Sequence, residues 1–229
     1  MAPCDVMISI ANEPLSRPVA VIFDWDNTLI DSWLAIHDAQ NHTLTAFGME
    51  PWTLEETLRR VRGSMRDSFP ALFGDRWEEA GEVFYARFAA RHIENLAPLP
   101  GAEDMLEDLQ AAGFHLAVVS NKKGHYLRAE AKSLGWDRYF GRLVGAFDAP
   151  RDKPAVDPVE MALEGSGVVP GPAVWFVGDA DIDLECARNA GCIPVLARKK
   201  PPEPGEFATH PPALHVDGCM TLSKVLRNL

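Results

Sequence analysis

The chain has 229 residues, 47% hydrophobic and 24% charged, a composition that excludes disorder, collagen-like repeats and a disulfide scaffold. Its 22 Lys+Arg against 33 Asp+Glu leave a formal charge of −11, which argues against nucleic acid as a partner, because that binding rests on a basic face releasing counterions from phosphates. An acidic protein still handles an anion where a local cation, usually a metal, offsets its own carboxylates.

Residues 1–10 have no basic start, and Asp5 interrupts their apolar stretch, so they make a poor signal peptide. No apolar run approaches the roughly 20 residues that span a bilayer, so no membrane partner is expected. Cys4, Cys186, Cys192 and Cys219 form neither a C-x-x-C pair nor a zinc spacing, which points to a reducing, cytoplasmic setting.

Apolar, β-branched runs at residues 19–25, 115–121, 143–147, 173–178 and 193–197 are nearly continuous. Strands buried on both faces of a parallel sheet have that pattern. After the first run the rhythm breaks. Residues 32–97 hold no strand-like run but helical patterns at 33–47, 54–61 and 76–96, the last with Val83, Phe84 and Phe88 on one face. Residues 62–68 read as a loop-like interruption. The interval is too long for a crossover helix and predicts an inserted α-helical cap. Its Trp33, Trp52, Trp77 and phenylalanines read as cap core, and the histidines show no ligand spacing. From residue 98 onward helix-like segments at 103–112, 126–134, 159–163 and 184–190 alternate with the remaining strands. This predicts a doubly wound, Rossmann-like α/β core with a parallel sheet and helices on both faces. Residues 199–212, with five prolines and two adjacent lysines, predict a surface loop, followed by a short strand at 214–216 and a terminal helix from Thr221. The expected division is a core of residues 1–31 and 98–229 and a cap of residues 32–97.

The chemistry-bearing residues fall at strand ends. Asp24 and Asp26 stand at i and i+2 on one side of an extended chain, so they converge just past the first strand, where ligand sites of open α/β sheets lie. Such a pair holds a hard cation such as Mg²⁺, or acts as nucleophile and proton carrier; Asp26-Asn27 equally suits a capping turn. The second strand ends in Ser120-Asn121-Lys122-Lys123-Gly124. A hydroxyl and backbone N–H groups at that turn suit a phosphate oxygen or plain helix capping. Lys153, in a proline-stiffened turn, either neutralises a transferring phosphoryl group or is a solvated loop lysine. Gly178-Asp179-Ala180-Asp181-Ile182-Asp183 closes the fourth strand with three acids in five residues. They repel one another unless a cation sits among them, although Asp183 also fits a helix N-terminus.

In order and placement, D-x-D-x-T at residues 24–28, Ser120, Lys153 and G-D-x-x-x-D at 178–183 resemble the haloacid dehalogenase superfamily of phosphohydrolases. Leu99-Pro100-Gly101-Ala102, Val119-Ser120-Asn121-Lys122 and Asp152-Lys153-Pro154-Ala155 make the chain most similar to its phosphoglycolate phosphatase and β-phosphoglucomutase branch. The resemblance implies a phosphatase acting on a small phosphorylated metabolite, phosphoglycolate-like, through an aspartyl-phosphate. Asp24 would be the nucleophile and Asp26 the acid/base. Thr28, Ser120 and Asn121 would hold phosphoryl oxygens, with Lys153 balancing charge. Mg²⁺ would sit on Asp24, the main-chain carbonyl of Asp26, and Asp179, supported from outside by Asp183. Specificity would lie in the cap, with Arg66 meeting a polar or anionic group of the substrate or, equally, standing solvated at a helix start. Ala180 departs from the pattern, which often has Thr or Ser there, and reduced tuning of the site is the expected consequence.

Asp26 argues against a dehalogenase, and the absence of lysine from residues 32–98 argues against a phosphonatase, which needs a cap Schiff base. A mutase of the β-phosphoglucomutase type shares the same core chemistry. A phospho-accepting receiver carries its aspartate on the third strand of a smaller domain, and a non-catalytic binding protein has only Ala180 in its favour.

Overall fold

The computed structural model describes residues 8–9, 15–61, 65–94 and 96–229. Cys4, most of the N-terminal stretch, and Arg62, Gly63 and Ser64 of the expected cap loop lie outside the described residues.

The chain begins with β1 (Ile8–Ser9) and β2 (Ala20–Phe23), then β3 (Ile30–Asp31). Four helices follow, with no intervening strand among the described residues: α1 (Trp33–Ala46), α2 (Leu54–Arg60), α3 (Met65–Phe73) and α4 (Trp77–Ala89). β4 (Ala97–Pro98) then pairs antiparallel with β3, Ile30 facing Pro98 and Asp31 facing Ala97. The helical insertion thus leaves and re-enters the core side by side. Strand and helix alternate from there: α5 (Ala102–Ala111), β5 (His115–Lys123), α6 (Gly124–Ser133), β6 (Arg142–Ala146) and α7 (Asp157–Leu163). The chain closes with β7 (Val174–Gly178), α8 (Asp181–Asn189), β8 (Ile193–Ala197), β9 (Leu214–Val216) and α9 (Cys219–Arg227).

The main sheet runs β1-β9-β8-β7-β2-β5-β6. Every pairing in it is parallel except that of β1 with β9. β2 is an interior strand, between β7 and β5, and its four residues are fully buried. Alternation along it feeds two cores. Val21 and Phe23 pack with Leu106 and Leu109 of α5, Leu127 of α6 and Leu222 of α9, whereas Ala20 and Ile22 pack with Val159 and Ala162 of α7 and Cys186 and Ala187 of α8. Helices on both faces complete the expected Rossmann-like α/β fold with a helical cap. Strand order reverses between β2 and β7, and the crevice past the carboxyl ends of strands at such a reversal is where ligands bind.

The insertion differs from expectation in three places. Met65 to Ser68, read as loop, already belong to α3, whose periodicity is interrupted by Pro70 inside the helix; proline removes a helical donor and blurs the pattern. The last cap helix ends at Ala89 instead of running to residue 96, because residues 91–94 turn back toward the core. Two-residue strands such as β3 and β4 are too short to leave a period in the sequence. The helices themselves are tied by a bidentate pair, Arg87 Nε and Nη2 donating to Asp38 at 2.7 and 2.9 Å. α2 opens on a capping box between Thr53 and Glu56. Among the described residues no helix is long and apolar enough to cross a membrane.

Candidate active site

Asp24 follows β2 directly, its N–H donating to the Val177 carbonyl at 2.8 Å, so the nucleophile candidate is one residue beyond the sheet at the reversal point. Asp179 follows β7, and Asp183 comes from the first turn of α8. The three carboxylates each offer an oxygen within 4.8 Å of the others. Gly178 makes that approach possible: a Cβ there would stand 2.3 Å from the Asp183 Cβ. Lys153 Nζ bridges Asp24 Oδ1 and Asp183 Oδ1, both at 2.7 Å. The second oxygen of Asp183 accepts the Ala180 N–H at 3.1 Å, so Asp183 is fully engaged and braces the site from behind. This is also how the helix start dispenses with a hydroxyl at Ala180.

Like charges crowded out of water have physical consequences here. Burial, reinforced by Asp183 and Asp26 against the pull of Lys153, pushes the Asp24 carboxyl up to about 7. Burial and the neighbouring Asp183 and Asp24 hold Asp179 well above the usual carboxylate range. Burial alone would lower the Lys153 ammonium, and the two carboxylates it touches more than reverse that. All the donors are hard carboxylate oxygens, so a hard divalent cation fits them.

Asp26 is held differently. Lys122 Nζ reaches Asp26 Oδ1 at 2.7 Å and Glu130 Oε2 at 2.6 Å. Glu130, 1% exposed on α6, also accepts Trp25 Nε1–H at 2.7 Å and pairs through Oε1 with His92 Nδ1 at 2.7 Å. A buried chain therefore runs from His92, at the return from the helical insertion, through Glu130 and Lys122 to Asp26. Sequence reading gave Lys122 no role and His92 none. The available signal was a lysine just after Ser120-Asn121 at the end of a buried strand, without its partners in view.

Of the phosphate-side residues, Ser120 and Asn121 line the same mouth. Thr28, 2% exposed, is not among the residues that line it; its hydroxyl is buried beneath, with no hydrogen-bond partner among the described residues. Ser120 is buried and accepts the Lys122 N–H at 3.2 Å. The amide of Asn121 is spent on the Lys153 main chain, accepting its N–H at 3.1 Å and donating to its carbonyl at 3.4 Å; it sets the lysine's position. Arg66 turns to the core, where its guanidinium pairs with the buried carboxylate of Asp152 and lies 4.4 Å from the Phe147 ring centre.

A cavity of about 410 Å³ rises from these residues into the insertion. Asp24, Asp26, Lys153 and Asp179 form its floor, and Met65, Ser68 and Phe69 of α3 face it where Arg66 does not. Trp33 and Trp52, read as cap core, are wall residues of this cavity. Gln40 also faces it.

With this geometry in place, comparison with known proteins assigns the class. A family model described as haloacid dehalogenase-like hydrolase matches residues 21–197. The chain is 34% identical over 178 residues to a phosphoglycolate phosphatase of Aquifex aeolicus, covering 77% of this chain and 83% of the relative. It is 27% identical over 175 residues to the pyrophosphatase PpaX of Bacillus velezensis, covering 76% and 81%. A haloacid dehalogenase-like hydrolase structure from Streptococcus pneumoniae superposes with a TM-score of 0.79 at 22% identity, over 93% of this chain and 98% of that one, and shows the shared fold. The chain belongs to the haloacid dehalogenase-like hydrolase family. Within it the chain is phosphoglycolate phosphatase-like, and the expected hydrolase of phosphoric monoesters is the enzyme class these relatives define.

Proposed function

We propose that the chain is a Mg²⁺-dependent phosphatase that transfers the phosphoryl group of a small phosphomonoester to Asp24 and then to water. The observation that carries this is the pairing of two separately held acids at one point: Asp24 among carboxylates and Lys153, and Asp26 on its own lysine. Asp24, Asp179 and the Asp26 main-chain carbonyl would hold Mg²⁺, with Asp183 behind them. When bound, the cation would offset the charge of Asp24 and of the incoming phosphate, letting two anions meet.

The chain's own groups account for the remaining steps. Asp24 attacks phosphorus as a carboxylate, needing no base once ionised. The Ser120 hydroxyl and the N-terminus of α6 hold phosphoryl oxygens. Lys153 stays protonated and neutralises charge on the transferring group. Asp26 donates its proton to the leaving oxygen and later takes one from the water that attacks the acyl-phosphate. Lys122 orients Asp26 for both. Among the described residues the cysteines are free and buried, which supports a reducing, cytoplasmic setting.

Phosphoglycolate is the substrate that the relatives' names bring forward. The test is Mg²⁺-dependent phosphate release from p-nitrophenyl phosphate and phosphoglycolate, with an acid-stable phosphoenzyme trapped from labelled substrate. Asp24→Asn abolishes both turnover and trapping. Turnover that survives Asp24→Asn refutes the reading.

A further inference from the structure

The cavity over Asp24 is walled largely by apolar side chains. Its volume, about 410 Å³, lies within the range of sites that bury most of a drug-sized ligand. Trp33, Ile36, Trp52, Leu72, Phe84 and Phe88 supply its upper wall, an apolar surface that gains nothing from a carboxylate and loses by desolvating one.

The charges bordering the cavity point the same way. Among the described lining residues the cations are Arg60, Lys122 and Lys153. Arg60 pairs with Glu56 at 3.0 Å and lies 4.7 Å from the Trp52 ring centre. Lys122 is held by Asp26 and Glu130, and Lys153 by Asp24 and Asp183. A second anion on the substrate would have to share a cation with a carboxylate that already holds it.

One wall residue is polar and unpaired. Gln40 of α1 is 2% exposed, faces the cavity, and its Nε2 has no hydrogen-bond partner among the described residues. A buried donor left without an acceptor is costly. A ligand that brings a neutral acceptor to that point removes the cost.

We propose that the substrate's alcohol part is bulky and predominantly apolar, with one neutral hydrogen-bond acceptor placed to meet Gln40. This rests on the phosphatase reading above and departs from it in the substrate class, putting a bulky apolar alcohol in place of the small, phosphoglycolate-like one. Core residues handle the phosphoryl group, the aromatic wall takes the apolar body, and Gln40 fixes its register. Glycolate fills little of the wall and presents a carboxylate where each cation among the described lining residues already has a carboxylate partner.

The experiment measures kcat/KM with Mg²⁺ for ethyl, butyl and hexyl phosphate, whose leaving alkoxides have the same intrinsic reactivity, and for phosphoglycolate. Burial of each added methylene predicts about a fourfold rise, on the order of a hundredfold from ethyl to hexyl, with hexyl phosphate above phosphoglycolate. Hexyl phosphates bearing a ketone at each successive position are then compared with hexyl phosphate itself. One of them is preferred by about fivefold, and Gln40→Leu abolishes that preference. A flat or falling series, or phosphoglycolate above hexyl phosphate, overturns this proposal and leaves the phosphatase standing. If no ester, p-nitrophenyl phosphate included, is hydrolysed, the phosphatase reading itself fails. The chain-length series uses the wild-type protein, so it decides the matter even if the Gln40 variant does not fold.

Discussion

Lys122→Met takes the ammonium away from two carboxylates and leaves a side chain of similar length. Asp26 is partly open to the cavity, but Glu130 is 1% exposed and keeps only Trp25 and His92. Removing one partner of a buried pair costs about 3–5 kcal/mol, and each kcal/mol shifts Tm by about 2–4 °C in a chain of this size, so Tm falls by about 10 °C. The catalytic loss has a different signature. An acid that is no longer aimed costs about 10²- to 10⁴-fold where the leaving oxygen needs its proton. Alkyl phosphates therefore lose that factor in kcat/KM, whereas p-nitrophenyl phosphate, whose phenolate departs without a proton, loses much less. Adding Glu130→Gln to Lys122→Met removes the stranded charge, restores most of the Tm and leaves the substrate discrimination as damaged as before. Thermal melts and kcat/KM on the two substrates read both effects. An equal loss on the two substrates refutes the orienting role of Lys122, and no recovery of Tm in the double variant refutes the charge accounting behind it.

Other outcomes follow from the same geometry. Gly178→Ala forces a Cβ to within 2.3 Å of Asp183; a stability loss of about 1–3 kcal/mol and a larger loss of kcat than of substrate affinity are expected, and an unchanged kcat contradicts the close approach. Arg66→Ala strands the buried Asp152 and lowers stability by about 1–3 kcal/mol, recovered by Asp152→Asn in the same chain; a loss confined to KM with no change in Tm would instead place Arg66 on the substrate. Binding of Mg²⁺ to the free protein displaces the proton that burial keeps on Asp24 up to about 7. Below that value the apparent affinity falls about tenfold per pH unit for each proton displaced, and calorimetry that finds no slope between pH 5.5 and 7 disproves it.

Asp24 and Asp179 could be read from the sequence because each stands at the end of a run whose apolar character already marks a buried strand, whereas Lys153, in the loop beyond β6, took its role only from the resemblance. Position in the chain and position in the site coincide for the two aspartates. The brace of Asp26 could not be read that way. Lys122 and Glu130 lie eight residues apart and mean nothing together until α6 folds back beside β5, and His92 reaches them across 38 residues. Trp33 and Trp52 show a different limit: hydrophobicity marks a residue that avoids water but does not say whether the face is packed or lines a cavity. Gln40 was hidden for a related reason, since one amide on a helix reads as surface until the helix is seen to be roofed over. In α3 the blurring came from Pro70, a local breaker tolerated in a helix packed through Phe69 and Phe73 against Phe84 and Phe47.

The ribbon of β3 and β4 gives the helical insertion the ends of a closed loop, Ile30 beside Pro98. For such a loop the entropy of closure grows only with the logarithm of its length, about 0.6 kcal/mol for each doubling. The sheet and its catalytic edge are therefore nearly indifferent to how many residues hang from that ribbon. Helices of the insertion can lengthen, shorten or be exchanged without taxing the stability of the half that breaks the phosphate bond, so the choice of alcohol can drift while the chemistry stays fixed. Contacts that cross between the two halves, among them His92 to Glu130, Arg66 to Asp152 and the stacking of Tyr85 on Tyr126, are then places where such drift would be felt at the reaction centre.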